Sequence, residues 1–301
     1  MSITVIGESN IDISVKRHGD EQKVGCIPAE IRFHHGGVAR NIAHNLSLLG
    51  QEVHLMTVFG GDDFASQMMA DCKNLGIDLS LSTQFEHEKS PIFLSFNDEK
   101  GNLQSAVSDI GLNRHLDLNC LKAKMDEINR SNLVVADTLL TAEALTYLID
   151  YCTVPLYIDT VSPKRALALA EALTASKKKA FSVLKCNLPE ALAITGKTDA
   201  FEAAKKLSFK GVKEVFITMG EEGVVYASEG KTLFFPSLQA QVVDVVGAGD
   251  AFLSGIVFAH SNDLFAEQAV QMGLEAARIT VESDGPCSLN IKTLRNSLNR
   301  D

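Results

Sequence analysis

Val242-Val243-Asp244-Val245-Val246-Gly247-Ala248-Gly249-Asp250 runs from an apolar segment through two glycines into helical periodicity at Phe252, Leu253, Ile256 and Val257. The glycines leave little side-chain bulk where the helix begins. Backbone N–H groups can therefore approach an anion closely, and the helix dipole favours negative charge there. Asp250 falls in the first turn, beside that anion position. A carboxylate next to a transferring phosphoryl group needs a task that offsets the repulsion, and accepting the proton of an attacking hydroxyl is such a task. The competing reading is an ordinary turn followed by an acidic first-turn residue.

Outward from this junction, short apolar runs alternate with helical spacing. Ile3-Thr4-Val5-Ile6 reads as a buried first strand, and further strands are expected at 53–59, 133–136, 154–158, 181–184 and 215–219. Helices are expected at 38–49, 117–130, 141–151, 164–176, 199–210, 264–282 and 290–300, and a hairpin at 224–227 and 232–235. Continuous apolar strands separated by helices predict a mostly parallel sheet covered on both faces. Two segments break the plan, 13–33 with Gly19, Gly25 and Pro28, and 91–107 with Gly101-Asn102. They read as inserts that form one small lid, discontinuous in sequence within a single domain over 1–301.

Composition excludes several classes. The 28 Lys and Arg against 38 Asp and Glu give a net charge of -10, which disfavours a nucleic-acid polymer. Lys177-Lys178-Lys179, the one dense basic run, reads as a solvated helix end. Six cysteines without a CxxC pair fit reduced thiols and a cytoplasmic setting, and neither a leader nor a membrane-spanning run is legible. Gly196-Lys197-Thr198 is no P-loop, because Ala191 stands where the first glycine belongs. The 247–249 glycines are no dinucleotide fingerprint, because Phe252 takes the third glycine position.

Other polar residues sit where strands or turns meet helices. Gly36-Gly37 precedes a helix bearing Asn41 and, one turn on, Asn45; the glycines permit close approach to a small polar ligand, and Asn41 offers donor and acceptor to hydroxyls. Asp12, an acceptor when ionised, suits a ribose-like diol or a capped turn. Asn187 and Glu190 flank Pro189 at a helix start, where they serve either as caps or as a hold on Mg²⁺ through its waters. Gly220-Glu221-Glu222-Gly223 is a close-approach turn, and His34-His35 is at most a lid or substrate contact.

Gly36-Gly37 with Asn41, Asn187 with Glu190, and the 244–250 signature, in this order, resemble the ribokinase-type carbohydrate kinase family, also called the PfkB family. The resemblance spans almost the whole chain. It implies a three-layer α/β/α domain with a small β-sheet lid, often shared across a homodimer. It implies Asp250 as the base, with Gly247 and the amides of Ala248 and Gly249 forming an anion hole. Asp12, Gly37 and Asn41 are then expected at the sugar, Asn187 and Glu190 at Mg²⁺ and phosphates, and Thr218, Gly220 and Gly223 beside ATP. Asp244 and Val246, with carbonyls around Thr280, Ser283 and Gly285, are expected to hold a monovalent cation, K⁺. Three stretches, 7–12, 36–43 and 158–164, are more similar to the pseudouridine-kinase branch than to the ribokinase branch. Thr160 and Thr138-Leu139 depart from that branch. The expected reaction is ATP-dependent phosphorylation of the 5′-hydroxyl of pseudouridine, with other nucleosides, ribose or fructose as alternative small-molecule acceptors.

Overall fold

In the computed structural model, residues 1–17, 28–99, 103–178 and 180–299 are described. The first strand, β1 (Ser2–Ile6), is mostly apolar because both its faces are covered: Ile3 and Val5 pack into one layer and Ile6 into the other, all fully buried, and the buried Thr4 hydroxyl pairs with that of Ser131. Next come β2 (Asn10–Arg17), β3 (Ala29–Gly36), α1 (Val38–Leu48), β4 (Glu52–Met56) and β5 (Val58–Gly60). Helix α2 (Asp63–Asn74) leads through β6 (Thr83–Phe85) to β7 (Ile92–Asn97) and β8 (Leu103–Asp109).

Strands and helices then alternate. These are α3 (Leu118–Ile128), β9 (Leu133–Asp137), α4 (Ala142–Tyr151), β10 (Leu156–Asp159), α5 (Pro163–Ala175) and β11 (Phe181–Asn187). They continue through α6 (Leu188–Thr195), α7 (Ala200–Phe209), β12 (Val212–Thr218), the hairpin β13 (Gly223–Ser228) and β14 (Lys231–Pro236), then α8 (Ala248–His260) and α9 (Ala266–Val281).

The main sheet has the order β14-β13-β12-β11-β10-β9-β1-β4, parallel from β4 to β12 and antiparallel through the hairpin. One core lies between the sheet and α1, α2, α8 and α9; the other lies under α3 to α7. This is a ribokinase-like three-layer α/β/α fold. The chain leaves β1 toward β4 on one side and later returns to β9 on the other, so the carboxyl ends of β1 and β9 flank a topological switch point, where open α/β sheets bind ligands.

A second sheet, in the order β3-β2-β7-β8, covers that edge. Its register puts Asp12, His34 and Phe93 on one face, and Ile13, Phe33, Leu94 and Val107 on the other. The polar face looks toward the main domain. On the apolar one Ile13 packs against the main core, while Ile31, Phe33 and Val107 face outward, 55 %, 58 % and 59 % exposed.

Several expectations change. The strand expected at 53–59 divides at Thr57, because β5 leaves β1 to pair with β6. The apolar run 242–246 forms no strand; Val242, Val243, Val245 and Val246 are exposed, on a loop tied down by hydrogen bonds from the N–H groups of Val243 and Asp244 to the Val281 carbonyl. The last expected helix is a 3₁₀ segment, Leu289–Asn299, with Ile291 and Leu294 buried three residues apart. Helix α2 was not expected, although Asp62 caps it and Ala65, Met68 and Cys72 recur on its buried face. Gly196 ends α6 in the left-handed conformation, the C-terminal turn its sequence context suggests. Gly19, Gly25, Cys26, Gly101, Asn102 and Lys179 lie outside the described residues.

Candidate active site

Asp250 occupies the first turn of α8 and is 8 % exposed. Its Oδ2 accepts a hydrogen bond of 2.9 Å from the Asn41 Nδ2, a residue 209 positions earlier on α1. Burial raises its pKa to about 6, against the lowering effects of the Lys185 charge and the Asn41 hydrogen bond. A carboxylate with that value remains ionised at neutral pH and is basic enough to accept a proton.

Glycine is required around it for steric reasons. Gly247 has φ 76°, and a Cβ there would stand 2.1 Å from the Pro286 carbonyl oxygen. The Ala248 N–H makes a long bond of 3.4 Å to the Val245 carbonyl, whereas the N–H groups of Gly249 and Asp250 have no acceptor among the described residues. The free donors of the expected anion hole are thus those of Gly249 and Asp250 more than that of Ala248.

Lys185 supplies a charge the sequence reading missed. It stands in the otherwise apolar β11, and its Nζ lies 3.0 and 3.1 Å from the two carboxylate oxygens of Asp159, on the neighbouring β10. Lys185 is 6 % exposed and Asp159 fully buried. A Cβ on Gly249 would lie 2.5 Å from that ammonium, so the cation sits directly behind the start of α8. Burial opposes the charge on Lys185, but Asp159, Asp250 and Glu190 outweigh it and move its pKa upward. A lysine within Phe181-Ser182-Val183-Leu184-Lys185-Cys186 was the available signal.

A cavity of about 870 Å³ opens between the two sheets. Of the expected residues it gathers Asp12, Gly37, Asn41, Asp244, Val246, Gly247, Asp250 and Gly285. Asp12 accepts from Asn10 Nδ2 at 2.6 Å, and burial lifts its pKa to about 6. Gly36, across the ladder, leaves room for it, since a Cβ there would stand 2.0 Å from the Asp12 Oδ2. Asn45 is fully buried and does not line the cavity.

The remaining expected residues lie outside the cavity wall. Asn187 caps α6, and Glu190 closes the capping box: its Oε2 accepts from the Asn187 N–H at 2.8 Å and from the Thr160 hydroxyl, while Oε1 accepts from Asn187 Nδ2 at 2.9 Å. Glu190 is 2 % exposed. The capping box is thus formed around Glu190. Thr218 ends β12 with its hydroxyl on the Cys186 carbonyl, and Gly220 and Gly223 adopt φ 60° and 132° in the turn beyond. Thr280 is fully buried; the Ser283 N–H bonds its carbonyl, and the Ser283 hydroxyl meets that of Ser288 at 2.7 Å. Cavity residues the sequence reading passed over include Glu8, Arg165 and Arg32, the last paired with Asp284 across the cavity mouth.

Residues 1–293 match the family described as pfkB family carbohydrate kinase. The chain belongs to the PfkB family. As a PfkB-family phosphotransferase it carries out ATP-dependent phosphotransfer to the hydroxyl of a nucleoside or sugar. The pseudouridine kinase of Escherichia coli is 27 % identical over 84 % of this chain and 82 % of its own length. The guanosine-inosine kinase of Exiguobacterium acetylicum is 26 % identical over 93 % of this chain and 94 % of its own. The structure of ribokinase from Thermotoga maritima superposes with a TM-score of 0.85 at 22 % identity, covering 99 % of each chain, a likeness of fold. No described helix of this PfkB chain is long and apolar enough to cross a membrane.

Proposed function

We propose that this kinase transfers the γ-phosphoryl group of ATP to the 5′-hydroxyl of pseudouridine, giving pseudouridine 5′-phosphate. The observation that carries the reading is the cavity. Its lining joins the polar groups a ribose needs, Asp12, Asn41 and Asp250, to the apolar side chains of Phe93, Ile110, Leu139, Leu140 and Val161. Apolar lining of that extent has no task with a free pentose and suits a flat base. The similarity to the Escherichia coli pseudouridine kinase supports the same choice.

In this reading Asp12 and Asn41 hold the ribose hydroxyls, and Asp250 takes the proton of the attacking hydroxyl. ATP supplies the phosphoryl group. The free N–H groups of Gly249 and Asp250, backed by the Lys185 ammonium, stabilise the charge on the transferring oxygens. Mg²⁺ accompanies ATP in the proposal, with Asn187 and Glu190, which cap α6, organising it through its waters. A monovalent cation is proposed between the 244–246 loop and the 280–285 turn, which the bonds to the Val281 carbonyl hold together.

Mg-ATP and six acceptors in competition, namely pseudouridine, uridine, inosine, adenosine, ribose and fructose, test the substrate. Pseudouridine 5′-phosphate is expected as the main product, with kcat/KM about 10-fold or more above the others. A different predominant product overturns the acceptor and keeps the kinase. Rates equal in potassium and in a bulky organic cation at matched ionic strength would remove the cation site.

Asp12 and Asn41 separate experimentally. Asp12→Ala should raise the acceptor KM and leave kcat nearly intact, costing about five-fold to a hundred-fold in kcat/KM for a hydroxyl left unpaired. Asn41→Ala should lower kcat as well, because its amide also steadies Asp250. An Asn41→Ala enzyme altered only in the ATP KM would put that residue on the wrong side of the cleft.

We also propose a homodimer through the outward lid face, supported by the exposed Ile31, Phe33 and Val107. Sedimentation velocity should give twice the chain mass for the parent and a lighter species for Phe33→Glu; a parent monomer at micromolar concentration rules the dimer out.

A further inference from the structure

Glu8 stands at the carboxyl end of β1, where its backbone is clamped. Its N–H donates to the Asp137 Oδ2 at 2.7 Å, its carbonyl accepts from the Arg40 N–H at 3.1 Å, and a Cβ on Gly37 would stand 2.4 Å from that carbonyl oxygen. The side chain is thereby committed to the cavity, which it lines together with Ile110, Leu139, Leu140 and Val161. Its Oε1 receives a bond of 3.3 Å from Asn113 Nδ2. The Oε2 has no hydrogen-bond partner among the described residues, and no described cation pairs with the carboxyl within 4 Å. Arg165 lines the same cavity and contributes only at longer range.

The Oε2 is open to the cavity and free to accept from a donor of a bound ligand, in place of a bond to solvent. We propose that Glu8 reads the base of the acceptor nucleoside, accepting the ring N–H that pseudouridine presents where uridine presents a C–H. The inference rests on the nucleoside reading above. Burial, then the carboxylates of Asp137 and Asp12, raise the Glu8 pKa to about 8 against the opposing Arg165 charge and Asn113 bond. Near neutral pH the group thus carries a proton for much of the time. It then offers an acceptor oxygen beside an O–H, matching a ring N–H beside a carbonyl. The position lies away from the proton transfer, so Glu8 determines specificity and has no part in the chemistry at Asp250.

The experiment crosses two proteins with two ligands: parent and Glu8→Leu, each assayed with pseudouridine and with 1-methylpseudouridine, whose methyl group replaces the hydrogen in question. In the parent, methylation should lower kcat/KM by about 10-fold or more, because the donor is lost and the Glu8 acceptor is left unpaired. In Glu8→Leu the two ligands should come within about three-fold of each other. Glu8→Gln keeps an acceptor oxygen and a donor at the same place, so it should retain most of the parent's preference. If Glu8→Leu does not fold, Glu8→Ser carries the same expectation. A folded Glu8→Leu or Glu8→Ser enzyme that discriminates against the methylated ligand as strongly as the parent overturns the assignment. A parent that phosphorylates no nucleoside overturns the nucleoside reading itself, before any variant is made.

Discussion

Asp250→Asn should lower kcat by about 10²–10⁴-fold, the range for a positioned proton acceptor, while the protein folds and binds ATP as before. Asparagine keeps the volume and can still meet the Asn41 amide, so only the capacity to take a proton is removed. The pH profile carries the same information. Burial holds the Asp250 proton on until about pH 6, so the reactive carboxylate forms as pH rises through that value. In the parent, kcat/KM should therefore climb between pH 5 and pH 7 and then level off. A variant with near-parental kcat, or a parent whose rate is flat across that interval, would remove Asp250 from the role of base.

The second large effect concerns stability. Lys185→Met leaves the Asp159 carboxylate buried with no cation opposite, and breaking such a pair costs about 3–5 kcal/mol. The urea midpoint should fall accordingly. Replacing both partners, as in Lys185→Met with Asp159→Leu, removes the uncompensated charge and should recover much of the loss, since a buried ion pair often contributes little over a well-packed apolar pair. Phosphoryl transfer should stay impaired in the double variant, because the ammonium behind Gly249 is gone. If Lys185→Met unfolds at the parent's midpoint, the pair does not have the structural weight given to it here. If the double variant transfers phosphoryl at the parental rate, Lys185 has no electrostatic role at the anion site.

The main-sheet strands were legible because a strand buried on both faces is dominated by apolar residues, as Ile3 to Ile6 and Leu133 to Ala136 are. The 247–250 junction was legible because its steric demand is local: the left-handed φ at Gly247 and the helix start belong to consecutive residues. At 242–246 the sequence shows only an apolar run, and the fold leaves its four valines exposed, Val246 at the cavity. Asn187 and Glu190 show an ambiguity. Three residues apart at a helix start, they fit a cap and a metal site equally well in sequence, and the fold adds the closed hydrogen bonds of the cap and the Thr160 hydroxyl.

What the sequence determined by itself is whatever depends on neighbours along the chain: strand and helix periods, the glycine junctions, and the acidic residue in the first turn of α8. The tertiary structure alone decided the pairs. Lys185 meets Asp159 because β10 and β11 lie side by side, Asn41 meets Asp250 because α1 packs beside α8, and Glu8 shares one cavity with Leu139 and Val161, which follow β9 and β10. The physical reason is that a hydrogen bond or ion pair acts over a few ångströms of space. Strand order and crossovers, rather than separation in sequence, set which side chains come within that reach.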